Sequence, residues 1–253
     1  MSGQIDVKRQ GAIVYVTLCH TGKFNAMSRA MWLGLKNVFQ EIQLDLSIRC
    51  VVVAGAEGHF CAGGDISEYP GFRFDAAELR HFHEQEVWGA LQAMLDCDVP
   101  IIANIQGNCM GAGVEIASCC DIRIAADDVK FGAPIARLGF PMAPREAALV
   151  TQATGSSVAR AMLLAAEIFD AADMLRCGFL TRVMHADLLV AHVAQLAERV
   201  QGLAPQAARM NKQTLRMLNL TAQPRAADPY AYASNAEHRE GITAFIEKRK
   251  PIF

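Results

Sequence analysis

Apolar positions along the chain follow two rhythms. "AIVYVTLC" (12–19) is a β-branched run that reads as a strand, paired with the "IDVKRQ" before it. Ser28 is a good N-cap, and after it Met31, Leu35, Val38 and Ile42 recur at helical spacing, predicting a helix through about Asp45. "RCVVVAG" (49–55) and "VPIIANIQG" (99–107) are short unbroken apolar runs, the pattern of buried strands, the second introduced by Pro100. A helix over about 76–97 separates them, then "GAGVEIASCC" (111–120) reads as a helix and "DIRIAA" (121–126) as a strand. After Gly155 the pattern is helical nearly throughout, in "SVARAMLLA", "AADMLRCG", "DLLVAHVAQLAERVQG", "PQAARMNKQTLRMLN" and a last stretch ending "FIEKRK". No Pro-, Gly- or Ser-rich linker divides the chain, so the expectation is one α/β core with a helical extension.

Composition narrows the class. With 253 residues and 52% hydrophobic side chains the chain can bury a substantial core. A net charge of −2 excludes the basic face of a nucleic-acid binder; the one dense basic run, Lys248-Arg249-Lys250, reads as a solvated tail. No apolar run approaches the roughly 20 residues of a membrane span, and no signal peptide is evident. The eight cysteines are scattered through apolar segments without a C-x-x-C pair, which suits buried free thiols in a reducing compartment. A soluble cytoplasmic protein is expected.

Two glycine-containing turns follow the two buried strands: "HFCAGGDI" (59–66) and the segment opening at Gly111. Such turns let backbone N–H groups approach a ligand closely, and two of them could aim two donors at one oxygen, as an oxyanion hole requires. A dinucleotide fingerprint fails because its third small residue would fall at Ile116, and no Gly-Lys-Ser/Thr follows to make a phosphate loop. Glu115 sits between Val114 and Ile116 in a small-residue, apolar segment. A first-turn glutamate is favoured by the helix dipole alone, but a buried one should have a raised pKa, which suits proton transfer. "HFHEQE" (81–86) contains metal-ligand residue types, yet His81 and His83 lie two apart and point to different faces, so an exposed helical face is expected and no metal site.

"HFCAGGDISEY", "IIANIQGNCMGAGVEIASCCDIRIAADDVKFGAP" and "EHREGITAFIEKRKPIF", with "FNAM" and "LLAAEIFDAADMLRCGFLTRV", closely resemble the enoyl-CoA hydratase/isomerase (crotonase) superfamily over essentially the whole chain. The resemblance implies a ClpP-like spiral of ββα repeats over residues 1–200 and a helical oligomerisation region over 201–253, assembled as a trimer or dimer of trimers. It implies an acyl-CoA thioester as substrate, with no separate cofactor, its carbonyl oxygen held between the N–H groups of Gly64 and Ala112. Coenzyme A would run along Ala62, Gly63, Asp65, Ile66 and Ser67, with Lys23 and Gly111 beside it and Phe245 and Lys248 at the nucleotide end. Glu115 matches one of the two catalytic glutamates of such hydratases. Where the second belongs, in "FGAPIARLG", Ile135 stands; "MAPRE" (142–146) replaces a glycine-rich segment, and Ser67 the usual basic residue. The expected activity is enoyl-CoA hydration within fatty acid metabolism, with Glu115 the sole acid/base group. An isomerase or decarboxylase of the same fold is the alternative, and a noncatalytic acyl-CoA-binding scaffold the alternative of another class.

Overall fold

β1 (Gln4–Gln10) and β2 (Ile13–Cys19) pair as the antiparallel hairpin expected, with Gly11 in a left-handed conformation at the turn. The computed structural model describes residues 3–218 and, beyond them, 236, 240, 244, 247–249 and 251–252. The side chain of Ser28 accepts from the Met31 N–H and starts α1 (Arg29–Leu44), which ends at Asp45. Its buried stripe is Met31, Trp32, Leu35, Phe39 and Ile42, with Val38 turned half outward. β3 (Cys50–Gly55) then runs parallel to β2.

The expected helix over 76–97 is one continuous rod with a local change of pitch: α2 (Ala76–His81), a π-helical turn over Phe82–Val87, and α3 (Trp88–Asp96). β4 (Ile101–Ile105) pairs with β3, and β5 (Asn108–Met110) leads into α4 (Ala112–Ser118). β6 (Ile122–Ala126) and β7 (Lys130–Gly132) follow, then α5 (Pro144–Thr154), α6 (Ser156–Leu164), β8 (Ile168–Asp170), α7 (Ala171–Arg176) and β9 (Arg182–Met184). α8 (Ala186–Gln201) and α9 (Pro205–Leu218) complete the described helices.

Two sheets result, a six-stranded one of order β1-β2-β3-β4-β6-β9 and a three-stranded one of order β5-β7-β8. The chain visits them in turn: β4 then β5, β6 then β7, with Cys61 after β3 making a parallel bridge to Cys109 of β5. This alternation is the spiral of ββα repeats. The three-residue strands β8 and β9 correct the reading of the segment after Gly155 as helical nearly throughout.

The core lies between the large sheet and the helices around it, and Ile13, Leu18, Trp32, Phe39, Val53, Ile101, Val114 and Phe131 are among its fully covered members. All eight cysteines are free thiols, six of them buried. α9 attaches to the core differently, since none of its side chains is buried. Arg209 donates to the Asp45 and Ile48 carbonyls, Lys212 to the Val99 carbonyl and the Asp121 carboxylate, and Arg216 to the Leu95 carbonyl and Asp98. Among the described residues, no helix is long and apolar enough to cross a membrane.

Candidate active site

The two glycine turns meet face to face. Cys61 N–H donates to the Asn108 carbonyl and Met110 N–H to the Cys61 carbonyl, which locks the turn after β3 to the strand that precedes α4. Gly111 adopts φ +46° as the N-cap of α4, a conformation that L side chains rarely take. A Cβ on Gly113 would stand 2.7 Å from the Cys61 carbonyl oxygen, so only glycine allows this approach. From the other side, the "FNAM" segment brackets the first turn: Met27 N–H donates to the Gly63 carbonyl, and Asp65 N–H to the Met27 carbonyl, both at 2.8 Å. This ladder steps over Gly64. Ala112 is the first residue of its helix, whose leading N–H groups have no partner within the helix. Among the described residues, the Gly64 and Ala112 N–H groups thus have no backbone acceptor, and both residues line one cavity of about 340 Å³.

Glu115 lines the same cavity from the first turn of α4, with 6% of its surface exposed. Burial pushes its pKa well above the ordinary carboxyl range, and the charge of Glu146 adds to the shift. Glu146 is the residue that the sequence reading missed. It lies in the first turn of α5, which packs against α4, it is 3% exposed, and it faces the cavity. Its Oε1 accepts a hydrogen bond from His83 Nδ1 at 2.8 Å. The site is therefore lined by two buried carboxyl groups, delivered by the first turns of neighbouring helices, although position 135 carries none.

His83 also corrects the sequence reading. His81 is exposed as expected, but the π turn at 82–87 turns His83 inward, leaving its side chain 18% exposed and on the cavity wall. Arg73 Nη1 lies 3.5 Å from His83 Nε2, and an arginine can only donate, so the network assigns the imidazole proton to Nδ1, facing Glu146. Arg73 is itself held by aromatic faces, its guanidinium 3.8 Å from the Phe140 ring centroid and 4.6 Å from that of Tyr69. Burial drives the Tyr69 phenol up to about 12 beside Gly64 and the two carboxyl groups.

Of the other expected site residues, Ala62, Gly63, Ile66, Gly111 and Ile135 also line the cavity. Lys23, Asp65 and Ser67 form a cluster next to it: Lys23 Nζ donates to Asp65 Oδ2 at 2.7 Å and to Ser67 Oγ at 2.8 Å. Burial opposes the Asp65 charge, but hydrogen bonds from Lys23 and Ser67 outweigh it and hold the carboxyl below its usual range. Lys23 thus brings a cation to the place where Ser67 lacks one. Lys248 is exposed, and Phe245 lies outside the described residues. Among the described residues no group of three or more potential ligands could hold a metal ion.

The sequence held one signal for Glu146 and none for His83. One carboxylate is lost at 135 while another is gained eleven positions on, in the segment that departs most from the resemblance. Nothing in composition marks a π turn, so the inward aim of His83 was not legible.

A chain with these paired turns matches the family described as enoyl-CoA hydratase/isomerase over residues 8–253. It is 30% identical to the 2,3-dehydroadipyl-CoA hydratase of Escherichia coli K12, covering 99% of this chain and 98% of that protein. It is 29% identical to the crotonyl-CoA hydratase of Syntrophomonas wolfei, covering 96% and 94%. A crystal structure of an enoyl-CoA hydratase/carnithine racemase from Magnetospirillum magneticum superposes with a TM-score of 0.94 at 35% identity, covering 98% of this chain and 94% of that one. The family match over residues 8–253, the identity to a curated hydratase along nearly the whole chain and the structural superposition lead to one assignment: the chain belongs to the enoyl-CoA hydratase/isomerase (crotonase) family.

Proposed function

We propose that the protein adds water across the C2–C3 double bond of a 2-enoyl-CoA thioester. The observation that carries this reading is the convergence on one cavity of two backbone N–H groups, without backbone acceptors among the described residues, and a buried carboxyl group. Water attack at C3 moves negative charge onto the thioester oxygen. Donors fixed by Gly64 and Ala112 stabilise that charge without having to reorganise, and one such donor is typically worth about 10²- to 10³-fold in turnover. Glu115 handles the proton at C2. Relatives named as hydratases of dehydroadipyl-CoA and crotonyl-CoA support the same chemistry.

Coenzyme A enters as part of the substrate, along Ala62–Ser67, with the Lys23 ammonium and Lys248 as cations for its phosphates; no separate cofactor takes part. A double-bond isomerase or a decarboxylase is the second reading, favoured by the apolar Ile135 on the cavity wall. A noncatalytic acyl-CoA scaffold is disfavoured, because a pure binder gains nothing from a desolvated carboxyl group. Mass spectrometry over a panel of acyl-CoA thioesters separates these: a 2-enoyl substrate gains the mass of water, an isomerised one keeps its mass, and a decarboxylated one loses carbon dioxide. A panel in which no enoyl thioester gains water would overturn the hydratase reading.

The protein is proposed to act in the cytoplasm as a homotrimer or dimer of trimers. Leu215 and Leu218 on α9, both largely exposed in the single chain, offer apolar surface to a second copy. Sedimentation at micromolar concentration should give a trimer or hexamer, and a monomer would contradict it.

A further inference from the structure

We infer that Glu146, oriented by His83, is the second proton-transfer group of this site and takes the part that Ile135 cannot. The inference rests on the hydratase reading and deepens it. An N3 glutamate such as Glu146 would ordinarily be explained by helix capping, its carboxylate reaching back to the N-cap N–H. Here the N-cap is Ala143, there is no side-chain cap, and the Glu146 carboxylate turns to His83 instead. Burying a carboxyl group costs stability unless it is partnered. One imidazole N–H satisfies one oxygen and leaves the rest of the group facing the cavity that Glu115 also faces.

The groups around Glu146 come from four elements. His83 comes from the π turn, and Arg73 stands behind it, clamped between Phe140 and Tyr69. Glu115 comes from α4, and the adjacent Arg145 is directed to Glu84 rather than to Glu146. Arg73, His83 and Glu146 thus form a donor relay that ends on a carboxylate and keeps it an acceptor, as a base must be. Among the described residues Glu115 has no such donor, and its burial favours the protonated form. Two carboxyl groups in one cavity, one hydrogen-bonded by an imidazole N–H and the other buried without that donor, divide the work of acid and base.

The step balances without any co-reactant. Glu146 takes a proton from water as the water oxygen bonds to C3. The C2–C3 π pair shifts toward the thioester, giving the enolate held by Gly64 and Ala112. Glu115 then delivers its proton to C2, and exchange of a proton between the two carboxyl groups through solvent restores the starting state. Glu146 is the catalytic residue here; His83 and Arg73 are positioning residues.

Glu146→Gln should lower kcat for hydration of a 2-enoyl-CoA by about 10²- to 10⁴-fold. Calorimetric affinity for butyryl-CoA, which cannot be hydrated, should stay within several-fold. If that variant does not fold, Glu146→Asp withdraws the carboxylate by one methylene, and kcat should drop about tenfold or more at unchanged KM. His83→Ala removes the donor and should lower kcat and move the acidic side of the kcat/KM profile to higher pH. His83→Asn, which can offer an N–H near the same place, should restore most of both. A folded Glu146→Gln enzyme hydrating within twofold of wild type overturns the role of Glu146 and leaves the hydratase reading intact. A wild-type enzyme that adds water to no enoyl thioester overturns both. Identical losses in His83→Ala and His83→Asn with an unmoved pH profile would remove His83 from the relay.

Discussion

Glu115→Gln is expected to lose about 10²- to 10⁴-fold in turnover and, in the same molecule, to gain stability. The loss follows from removing the transferable proton while keeping shape, so binding of a saturated acyl-CoA should persist. The gain follows from burial. The Glu115 pKa is raised well above its ordinary value by desolvation first and by the Glu146 charge second. The folded state therefore holds a proton that the unfolded chain releases above about pH 4.5. Wild-type stability falls as pH rises from there through the raised folded pKa, and glutamine carries no such dependence. Of the other ionisable groups facing Glu115, Cys61, Tyr69 and Cys119 do not titrate in this window, because burial drives Cys61 and Tyr69 to about 12 and Cys119 well above its ordinary value. Glu146 and His83 are present in wild type and variant alike, so the difference between the two proteins reports Glu115 and its coupling to Glu146. Calorimetry at about pH 5 and about pH 8 should give a melting-temperature advantage for the variant that widens with pH, about 2–4 °C for each kcal/mol in a chain of this size. A variant that is fully active, or one no more stable than wild type at the higher pH, would contradict this account.

Ala112→Pro should abolish most activity in a protein that still folds. Proline is well accepted at the first position of a helix, which is where Ala112 stands, and the N–H it lacks has no partner within α4. What the substitution removes is one of the two donors, and its ring also occupies the space in front of the nitrogen. Loss of one oxyanion donor alone predicts a fall of about 10²- to 10³-fold in kcat, and the ring adds a loss in binding. Ala112→Gly keeps the N–H and should keep acyl-CoA affinity within several-fold. Circular dichroism and melting temperature confirm the fold, and an active, well-folded proline variant would remove Ala112 from the oxyanion assignment.

Long periodic segments could be read directly from the chain. Ser28 and Asp45 mark the two ends of α1, and the apolar runs at 50–55 and 101–105 are β3 and β4 because β-branched side chains suit a sheet covered on both faces. Strands β5, β7, β8 and β9 were not legible, since three residues are too few to display a period of two. The two glycine turns were legible only as a pair, since a Gly-Gly after a strand is by itself a plain loop more often than not, and the structure brings both to one cavity. Glu146 was hidden by the resemblance itself, which directs attention to position 135. The distance that matters lies between α4 and α5 in space, not along the chain.

The polar attachment of α9 bears on the order in which the protein can be finished. Arg209 closes on carbonyls at and just after the end of α1, and Arg216 on the Leu95 carbonyl near the end of α3, where the negative poles of those helices gather. The partners are separated by 164, 161 and 121 residues. A nascent chain emerging from the ribosome can wind α1 and pair β1 to β4 early, but the ends of those two helices wait for cations translated much later. Closure of those two helix ends is thereby coupled to synthesis of α9, and a chain stalled or clipped before it would leave its oldest helices with open ends.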